Sequence, residues 1–197
     1  MRIVAGSLKG RVIVAPTGRG VRPTLEMVRE AIFDILGPEI KDATVLDLFA
    51  GSGALGLEAL SRGARFVVWC DDNPRACDAV RQNCTKLRIP NDQYELTRMP
   101  ALDIVARLGK MGRHFDIVFV DPPYEAGIHD EILLACNMAG IIVPDGRVVA
   151  EHARRFPLSA VFGDLVQEKD RRYGDTCVAF YRRRCGTTSR GDPKEGP

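Results

Sequence analysis

Short apolar strands alternate with helical stretches through the middle of this 197-residue chain, and this alternation is the strongest constraint on its fold. The spacing of apolar residues predicts strands over 44–49, 66–70, 94–97, 115–120 and 147–151, and helices over 54–62, 74–87, 101–108 and 128–137. Strands so apolar must be buried on both faces, and parallel strands need helices between them. We therefore predict an α/β fold with a parallel sheet that helices cover on both sides.

The flanking segments follow other patterns. Residues 2–5 and 11–14 predict a short β-hairpin, and an amphipathic helix is predicted from Thr24, a suitable N-cap, to Leu36. Two strands over 165–169 and 176–181 are expected to form an antiparallel hairpin that completes the sheet. The predicted organisation is a basic N-terminal extension (1–22), one domain (23–184) and a disordered tail (185–197).

The net charge of +2 conceals a segregation of charge along the chain. Residues 1–22 carry +5, residues 23–146 carry −7 and residues 147–197 carry +4. Basic ends around an acidic middle suggest a surface for a polyanion beside an acidic pocket, although the ends could also be solvated charge alone. No window approaches the run of about 18 apolar residues that a membrane helix needs. We expect a cytoplasmic protein without a membrane anchor.

Cysteine and histidine spacing does not predict a metal site. The six cysteines include no Cys-x-x-Cys pair, and Cys77 and Cys84 are two helical turns apart, on one face of a predicted helix. We expect reduced thiols, as in a reducing compartment. The three histidines lack ligand spacing, so we predict no metal.

A glycine-rich loop follows the first core strand, in the run Asp47-Leu48-Phe49-Ala50-Gly51-Ser52-Gly53-Ala54-Leu55-Gly56. Glycines at this place let the backbone turn sharply and approach a ligand beside a helix N-terminus. The pattern also matches the G-x-G-x-x-G of NAD-binding proteins, so it predicts a nucleotide cofactor without saying which one.

Two acidic residues refine this cofactor prediction. Asp71 ends the second core strand, where a carboxylate can accept hydrogen bonds from both ribose hydroxyls; its neighbour Asp72 is a second candidate, and either could instead cap the next helix. Asp47 lies at the tip of its strand, where an acid favours a cofactor that carries an ammonium group.

The strongest motif is Asp121-Pro122-Pro123-Tyr124, which directly follows an apolar strand. Ligands of open α/β sheets bind beyond the carboxyl ends of the strands, so this motif and the glycine loop should share one crevice. Consecutive prolines restrict the backbone and fix the direction of the carbonyl groups. The Asp121 carboxylate and the Pro122 carbonyl could each accept one N–H of a nucleobase amine, while Tyr124 stacks on the base. Such a clamp would direct the nitrogen lone pair at an electrophilic methyl group.

With these two motifs, the chain resembles S-adenosylmethionine-dependent methyltransferases that act on amino groups of nucleic acids. Four further segments make it similar to the RsmD family, namely 1–6, 22–33, 55–64 and 173–176. The resemblance extends to about Arg184. It implies a Rossmann-like, seven-stranded methyltransferase fold with an N-terminal β-hairpin. The implied reaction is transfer of a methyl group from S-adenosylmethionine to the exocyclic N2 of a guanine in small-subunit (16S) ribosomal RNA.

The resemblance also implies roles for individual residues. The methionine end of the cofactor would be held by Asp47, Phe49, Gly51 and Gly53, and its ribose by Asp71. Met99 is expected to pack on the adenine, and Asp121, Pro122, Pro123 and Tyr124 to hold the target amine. The RNA would be gripped by Arg2, Lys9, Arg11, Arg19 and Arg22. The expected partner is ribosomal RNA or a partly assembled small subunit, and the expected state is a monomer.

Two other functions remain open at this stage. The Asp-Pro-Pro-Tyr motif also serves methylation of adenine N6 in DNA, and no residue pattern in the sequence distinguishes a guanine from an adenine substrate. The G-x-G-x-x-G pattern would equally suit an NAD-binding Rossmann protein, although Asp121 to Tyr124 would then have no role.

Overall fold

The structure, a computed structural model, describes residues 1–15, 26–123 and 128–184. Its helices are α1 (Glu26–Leu36), α2 (Ala54–Ser61), α3 (Pro74–Leu87), α4 (Ala101–Lys110) and α5 (Ile128–Met138). Its strands are β1 (Thr44–Leu48), β2 (Phe66–Asp71), β3 (Tyr94–Arg98), β4 (Phe115–Val120), β5 (Ile142–Ala153), β6 (Val161–Phe162), β7 (Leu165–Tyr173) and β8 (Thr176–Arg183). Short 3₁₀ helices cover Gly37–Ile40 and Asn91–Gln93.

All eight strands belong to one sheet in the order β3-β2-β1-β4-β5-β8-β7-β6. The first five pair in parallel, whereas β8, β7 and β6 add to the edge in antiparallel fashion. The predicted α/β class and the closing hairpin are therefore confirmed. The strand count is eight instead of seven, because β6 adds a two-residue strand that is too short to show a period in the sequence.

Two apolar layers bury the sheet, as its continuous apolar strands require. One layer contains side chains of α1, α2 and α3 and of the N-terminal segment, including Ile3 and Ile13. The other contains side chains of α4 and α5, such as Ile104 and Ile132. The first three helices thus cover one face and the last two cover the other, and the loops that follow β1, β2, β3 and β4 meet at one edge.

The N-terminal segment departs from the predicted β-hairpin. It folds back on itself, with the Ile3 N–H donating to the Arg11 carbonyl at 3.0 Å, but it contains only one isolated bridge within residues 1–15. The next two amides of the expected first strand, those of Val4 and Ala5, donate instead to the carboxylate of Glu58 in α2, at 2.8 and 2.9 Å. The predicted pairing is therefore kept at the start of the first strand, where the Ile13 N–H also donates to the Met1 carbonyl at 3.0 Å, and is replaced by docking onto α2 from Val4 onward.

Some element boundaries differ from the predicted ones. Strand β1 ends at Leu48, since Phe49 has a φ of +63° and leaves the extended conformation. Strand β5 begins at Ile142, five residues before the predicted start. The prediction began later because the strand includes a Pro-Asp-Gly sequence, which is typical of a turn. The register of β5 with β4 shifts there. The predicted cap Thr24 and the tail 185–197 lie outside the described residues.

The five cysteines in the described part of the chain are free thiols, in agreement with the predicted reduced state. Cys77 and Cys84 both lie on the buried face of α3, as their spacing indicates. Within the described ranges, no helix combines the length and apolar content needed to cross a bilayer.

Candidate active site

The carboxyl ends of β1, β2 and β4 bring the two predicted motifs together. Leu48, the last residue of β1, is in register with Cys70 of β2 on one side and with Val120 of β4 on the other. The glycine loop therefore starts between Asp71, which ends β2, and Asp121, which follows β4. Neighbouring strands are about 4.8 Å apart, so these residues surround a single cleft.

The glycine loop bends through left-handed backbone conformations. Phe49, Gly51 and Gly53 have φ values of +63°, +56° and +77°. For Phe49 this conformation costs about 1–3 kcal/mol, so the surroundings have to impose it. The Ala50 N–H donates to the Cys70 carbonyl at 3.0 Å, and the Gly53 N–H donates to the Ala50 carbonyl at 2.7 Å. These bonds hold the bend against the end of β2.

The half-buried Asp71 ties the loop to the end of β2. One carboxylate oxygen accepts from the Gly51 N–H and the other from the Asn73 N–H, both at 2.9 Å. Burial raises the pKa of Asp71, and the two N–H donors act in the opposite direction. Helix α3 is capped by Asn73, whose side chain accepts from the Arg75 N–H at 2.9 Å. The N-cap of this helix is therefore neither Asp71 nor Asp72, which the sequence had left as an alternative role for them. Contact of Asp71 with a ribose stays a prediction.

Asp47 lies beneath the loop, with 1% of its surface exposed. Its carboxylate accepts from the Gly56 N–H in the first turn of α2, at 3.0 Å, and thereby fixes the start of that helix. Burial raises the pKa of Asp47 to about 7, the Gly56 N–H and the nearby Trp69 indole oppose the rise, and the charge of Asp71 adds to it. The structure thus gives Asp47 a positioning contact, and its contact with a cofactor stays a prediction.

Trp69 is a site residue that sequence reasoning missed. Its buried indole packs against the glycine loop, where a Cβ on Gly56 would lie 2.3 Å from Nε1 and a Cβ on Gly53 would lie 3.4 Å from the same atom. The third glycine of the G-x-G-x-x-G pattern is therefore required for packing of α2 on β2. The third glycine has the same packing role in NAD-binding proteins, so Gly56 does not distinguish the two cofactors. A lone tryptophan in an apolar strand facing a small-residue helix is the signal that could have identified this contact.

The Asp121-Pro122-Pro123 segment emerges from the centre of the sheet. Asp121 is half-buried, Pro122 is buried and Pro123 is exposed, and Tyr124 lies outside the described residues. The neighbouring strand β5 extends past the end of β4, because Val120 pairs with Ala150 and β5 continues to Ala153. These last residues of β5 therefore border the cleft beside Asp121.

His129 of α5 also lies at this border and was not predicted. Its Nε2 is 2.8 Å from the carbonyl oxygen of Glu151 in β5. Burial lowers the pKa of His129, which favours the neutral ring. The contact joins α5 to β5 just behind the cleft, and no sequence pattern could have indicated it.

Met99 follows β3, at the far end of the cleft from Asp121. Its N–H donates to the Asp71 carbonyl at 3.2 Å, and its own carbonyl accepts from the Cys70 thiol at 3.1 Å. The half-buried side chain is thus adjacent to the predicted ribose residue, where an adenine would follow a ribose. Its packing on the ring stays a prediction.

The predicted RNA-binding residues are only partly described. Arg2, Lys9 and Arg11 are exposed on the docked N-terminal segment, and the Arg2 guanidinium donates to the Gly10 carbonyl at 3.2 Å. Arg19 and Arg22 lie outside the described residues. The structure therefore leaves Lys9 and Arg11 as the basic side chains of this segment that can be tested directly.

The pKa of Asp47 predicts how stability depends on pH. Between about pH 4 and pH 7 the folded protein retains a proton on Asp47 that the unfolded chain, with a pKa of 3.8, has released. The free energy of unfolding should therefore fall as the pH rises through this interval and become level above it. Asp47→Asn should flatten this dependence, as measured by urea unfolding at pH 5 and pH 8. An equal pH dependence in the variant would contradict the assignment to Asp47.

Comparison with known proteins agrees with the fold and its motifs. The family model described as conserved hypothetical protein 95 matches residues 1–182. The chain is 37% identical to YlbH of Bacillus subtilis (strain 168) over 184 residues, which cover 93% of this chain and 100% of that one. It is 31% identical to the ribosomal RNA small subunit methyltransferase D of Escherichia coli (strain K12) over 192 residues, which cover 98% and 94% of the two chains.

A solved structure is similar over the same length. The structure of yhhF from Escherichia coli superposes with a TM-score of 0.84 at 31% identity and covers 94% of this chain and 99% of that one. Both the sequence and the complete sheet are therefore shared with these relatives. The chain belongs to the conserved hypothetical protein 95 family, which is the RsmD family that its motifs resemble.

Proposed function

We propose that this protein transfers a methyl group from S-adenosylmethionine to the exocyclic N2 of a guanine in small-subunit ribosomal RNA. One observation carries the proposal: Asp121-Pro122-Pro123 follows β4 directly beside the glycine loop that follows β1, with Leu48 and Val120 in register. Membership of a family in which a relative bears the name ribosomal RNA small subunit methyltransferase D supports the substrate class.

The glycine loop and its neighbours fit the proposed cofactor. A Cβ on Gly51 would meet no atom closer than the Phe49 carbonyl oxygen at 3.9 Å, so the backbone is open on this side. Gly51 and Gly53 would adjoin the methionine end, Asp71 the ribose and Met99 the adenine. When bound, S-adenosylmethionine supplies an electrophilic methyl group on a sulfonium. The half-buried carboxylate of Asp71 at this end suits a cationic ligand, while Asp47 would act from beneath the loop by fixing the start of α2.

Asp121 and Pro122 would act on the nucleobase. The lone pair of a guanine amine is delocalised into the ring, so the amine is a poor nucleophile. Acceptance of one N–H by the Asp121 carboxylate and of the other by the Pro122 carbonyl would direct that lone pair toward the methyl group. Two consecutive prolines hold these acceptors rigidly, so orientation provides most of the catalysis. The nitrogen would become cationic as it bonds to the methyl carbon and the carbon–sulfur bond breaks, and the Asp121 carboxylate would receive its proton.

Identification of the methylated nucleoside tests this proposal. We would incubate the purified protein and labelled S-adenosylmethionine with ribosomal RNA or small subunits from a strain that lacks the protein, and in parallel with plasmid DNA. N2-methylguanosine in RNA is the expected product. N6-methyladenine in DNA would instead support the DNA methyltransferase alternative. Calorimetry with S-adenosylhomocysteine and NAD tests the other alternative, since only the former should bind.

The basic N-terminal segment gives a second prediction. The paired change Lys9→Gln and Arg11→Gln should weaken RNA binding and reduce the slope of log K against log [salt] by about 0.7 for each lost phosphate contact. The matched control is Arg107→Gln with Lys110→Gln, because both residues lie in the last turn of α4, away from the cleft. Fluorescence anisotropy between 50 and about 200 mM salt measures both slopes. An unchanged slope in the first variant would show that RNA binds elsewhere.

A further inference from the structure

Three arginines border the cleft on the side opposite to the proposed cofactor site, and none of them was singled out in the sequence. They are Arg154 and Arg155 in the turn after β5, and Arg172 near the end of β7; we call them the edge arginines. We propose that the edge arginines bind the phosphates of the RNA strand next to the target nucleotide. This inference rests on the proposed function and adds a binding surface to it.

The position of the edge arginines follows from the strand register. Ala150 of β5 pairs with Val120, the residue before Asp121, and β5 runs three residues further. The turn after β5 is joined to the β7–β8 turn, since the Arg154 N–H donates to the Asp175 carbonyl at 2.9 Å. Strands are spaced by about 4.8 Å, so β5 is one strand and β7 is three strands from β4, or roughly 5–15 Å. A strand of RNA with one base in the cleft would pass over this edge.

Arg172 and Arg154 both lie near Cys177 of β8. Arg172 pairs in register with Cys177 of β8, so both side chains point to one face. Burial raises the pKa of the Cys177 thiol, the charge of Asp170 adds to the rise, and the charges of Arg172 and Arg154 oppose it, so both arginines lie near this thiol. Arg171, the residue before Arg172, points to the opposite face and is not included.

The edge arginines lie at the end of the sheet opposite to two arginines that pair with carboxylates, Arg147 and Arg182. At the opposite end of β5 and β8, Arg147 donates to Glu39 at 2.8 Å and Arg182 donates to Glu168 at 2.9 Å. Those arginines belong to a structural ion-pair network. All three edge arginines are exposed, and Arg172 Nε donates to the Gly174 carbonyl at 3.0 Å. Their guanidinium groups keep donors that suit phosphate oxygens.

An exposed aromatic ring lies within this group. Phe156 is 37% exposed, and the Arg155 guanidinium carbon is 4.9 Å from its ring centroid. Aromatic rings and guanidinium planes beside basic groups are the elements on which proteins stack unpaired RNA bases. The combination favours single-stranded RNA over a carboxylate-rich protein surface, which would use the arginines but not the ring.

The experiment compares two triple variants of the full-length chain. Arg154→Gln, Arg155→Gln and Arg172→Gln remove the edge charges, while Lys86→Gln, Arg107→Gln and Lys110→Gln remove three charges from the last turns of α3 and α4. The probes are 16S ribosomal RNA and a guanine-containing RNA oligonucleotide. We expect the edge variant to bind RNA at least ten-fold more weakly at 100 mM salt and to lose about two units of salt slope, at about 0.7 per phosphate contact. Its affinity for S-adenosylhomocysteine and the control variant's RNA binding should be unchanged.

Each outcome has a separate meaning. An unchanged salt slope in the edge variant, or an equal loss in the control variant, would overturn this inference while leaving the proposed function intact. Failure of the unmodified protein to methylate either RNA would instead count against the proposed function. A loss of S-adenosylhomocysteine binding in the edge variant would also overturn the inference, because the arginines would then support the cofactor site.

Discussion

Asp121→Ala should lower the rate of methyl transfer by about 10²–10⁴-fold while the affinity for S-adenosylhomocysteine stays within a factor of about two, because the variant loses a positioned acceptor without touching the glycine loop. The side chain follows β4 and is separated from the loop by the width of one strand. Single-turnover methylation of RNA measures the rate, and calorimetry measures the affinity. The change should therefore appear in kcat with little effect on cofactor binding.

Two further variants make this prediction specific. Asp121→Asn keeps one acceptor oxygen and should retain an intermediate rate. Asp103→Ala removes an exposed carboxylate from the first turn of α4 and should have no effect. Full activity in Asp121→Ala would refute the clamp. A loss of folding, detected by circular dichroism, would show that Asp121 serves the structure instead.

Glu58→Ala should be the most destabilising single change that we can name. Glu58 is fully buried in α2 and accepts from the backbone amides of Val4 and Ala5, from Arg29 Nε at 3.3 Å and from Arg62 Nε at 2.9 Å. Its removal leaves Arg29, which is 1% exposed, as an uncompensated buried cation. Breaking one side of a buried ion pair typically costs about 3–5 kcal/mol. Urea unfolding should show a loss of that size.

The matched control removes Asp34, a second carboxylate that pairs with Arg62. Asp34 lies 3.7 Å from Arg62 but its side chain is 67% exposed, so Asp34→Ala should change the free energy of unfolding by less than about 1 kcal/mol. Hydrogen exchange adds a local measurement, because the amides of Val4 and Ala5 should lose protection in Glu58→Ala and keep it in Asp34→Ala. If the two variants unfold at the same urea concentration, Glu58 is not the anchor of the N-terminal segment.

Asp121 and Glu58 show how differently sequence and tertiary structure contribute to what can be predicted. Asp121 could be assigned from the sequence, because an apolar strand before Asp-Pro-Pro predicts both its place at the sheet edge and its rigidity. Glu58 could not, since it lies in an apolar helical run and its four donors come from segments as many as 54 residues away. Only the packed structure brings them together.

The glycine loop illustrates an intermediate case. Its bend was predictable, since Gly51 and Gly53 adopt the left-handed conformations that glycine allows. The reason for Gly56 was not, because it depends on the indole of Trp69 in another strand. The G-x-G-x-x-G pattern alone therefore left two cofactors open, because both cofactor folds need this packing, and family membership distinguished them.

By itself, the sequence determined the alternation of strands and helices, the parallel core of the sheet and the edge at which Asp71 and Asp121 emerge. These properties depend on local periodicity and on turn residues, which are encoded within a few neighbouring positions. Only the tertiary structure decided which charges are paired. Arg147 and Arg172 are both arginines of the C-terminal strands, yet Arg147 belongs to an ion-pair network, whereas Arg172 is exposed and donates to the Gly174 carbonyl. Charge pairing depends on strand register and on contacts between distant segments, and no local pattern carries that information.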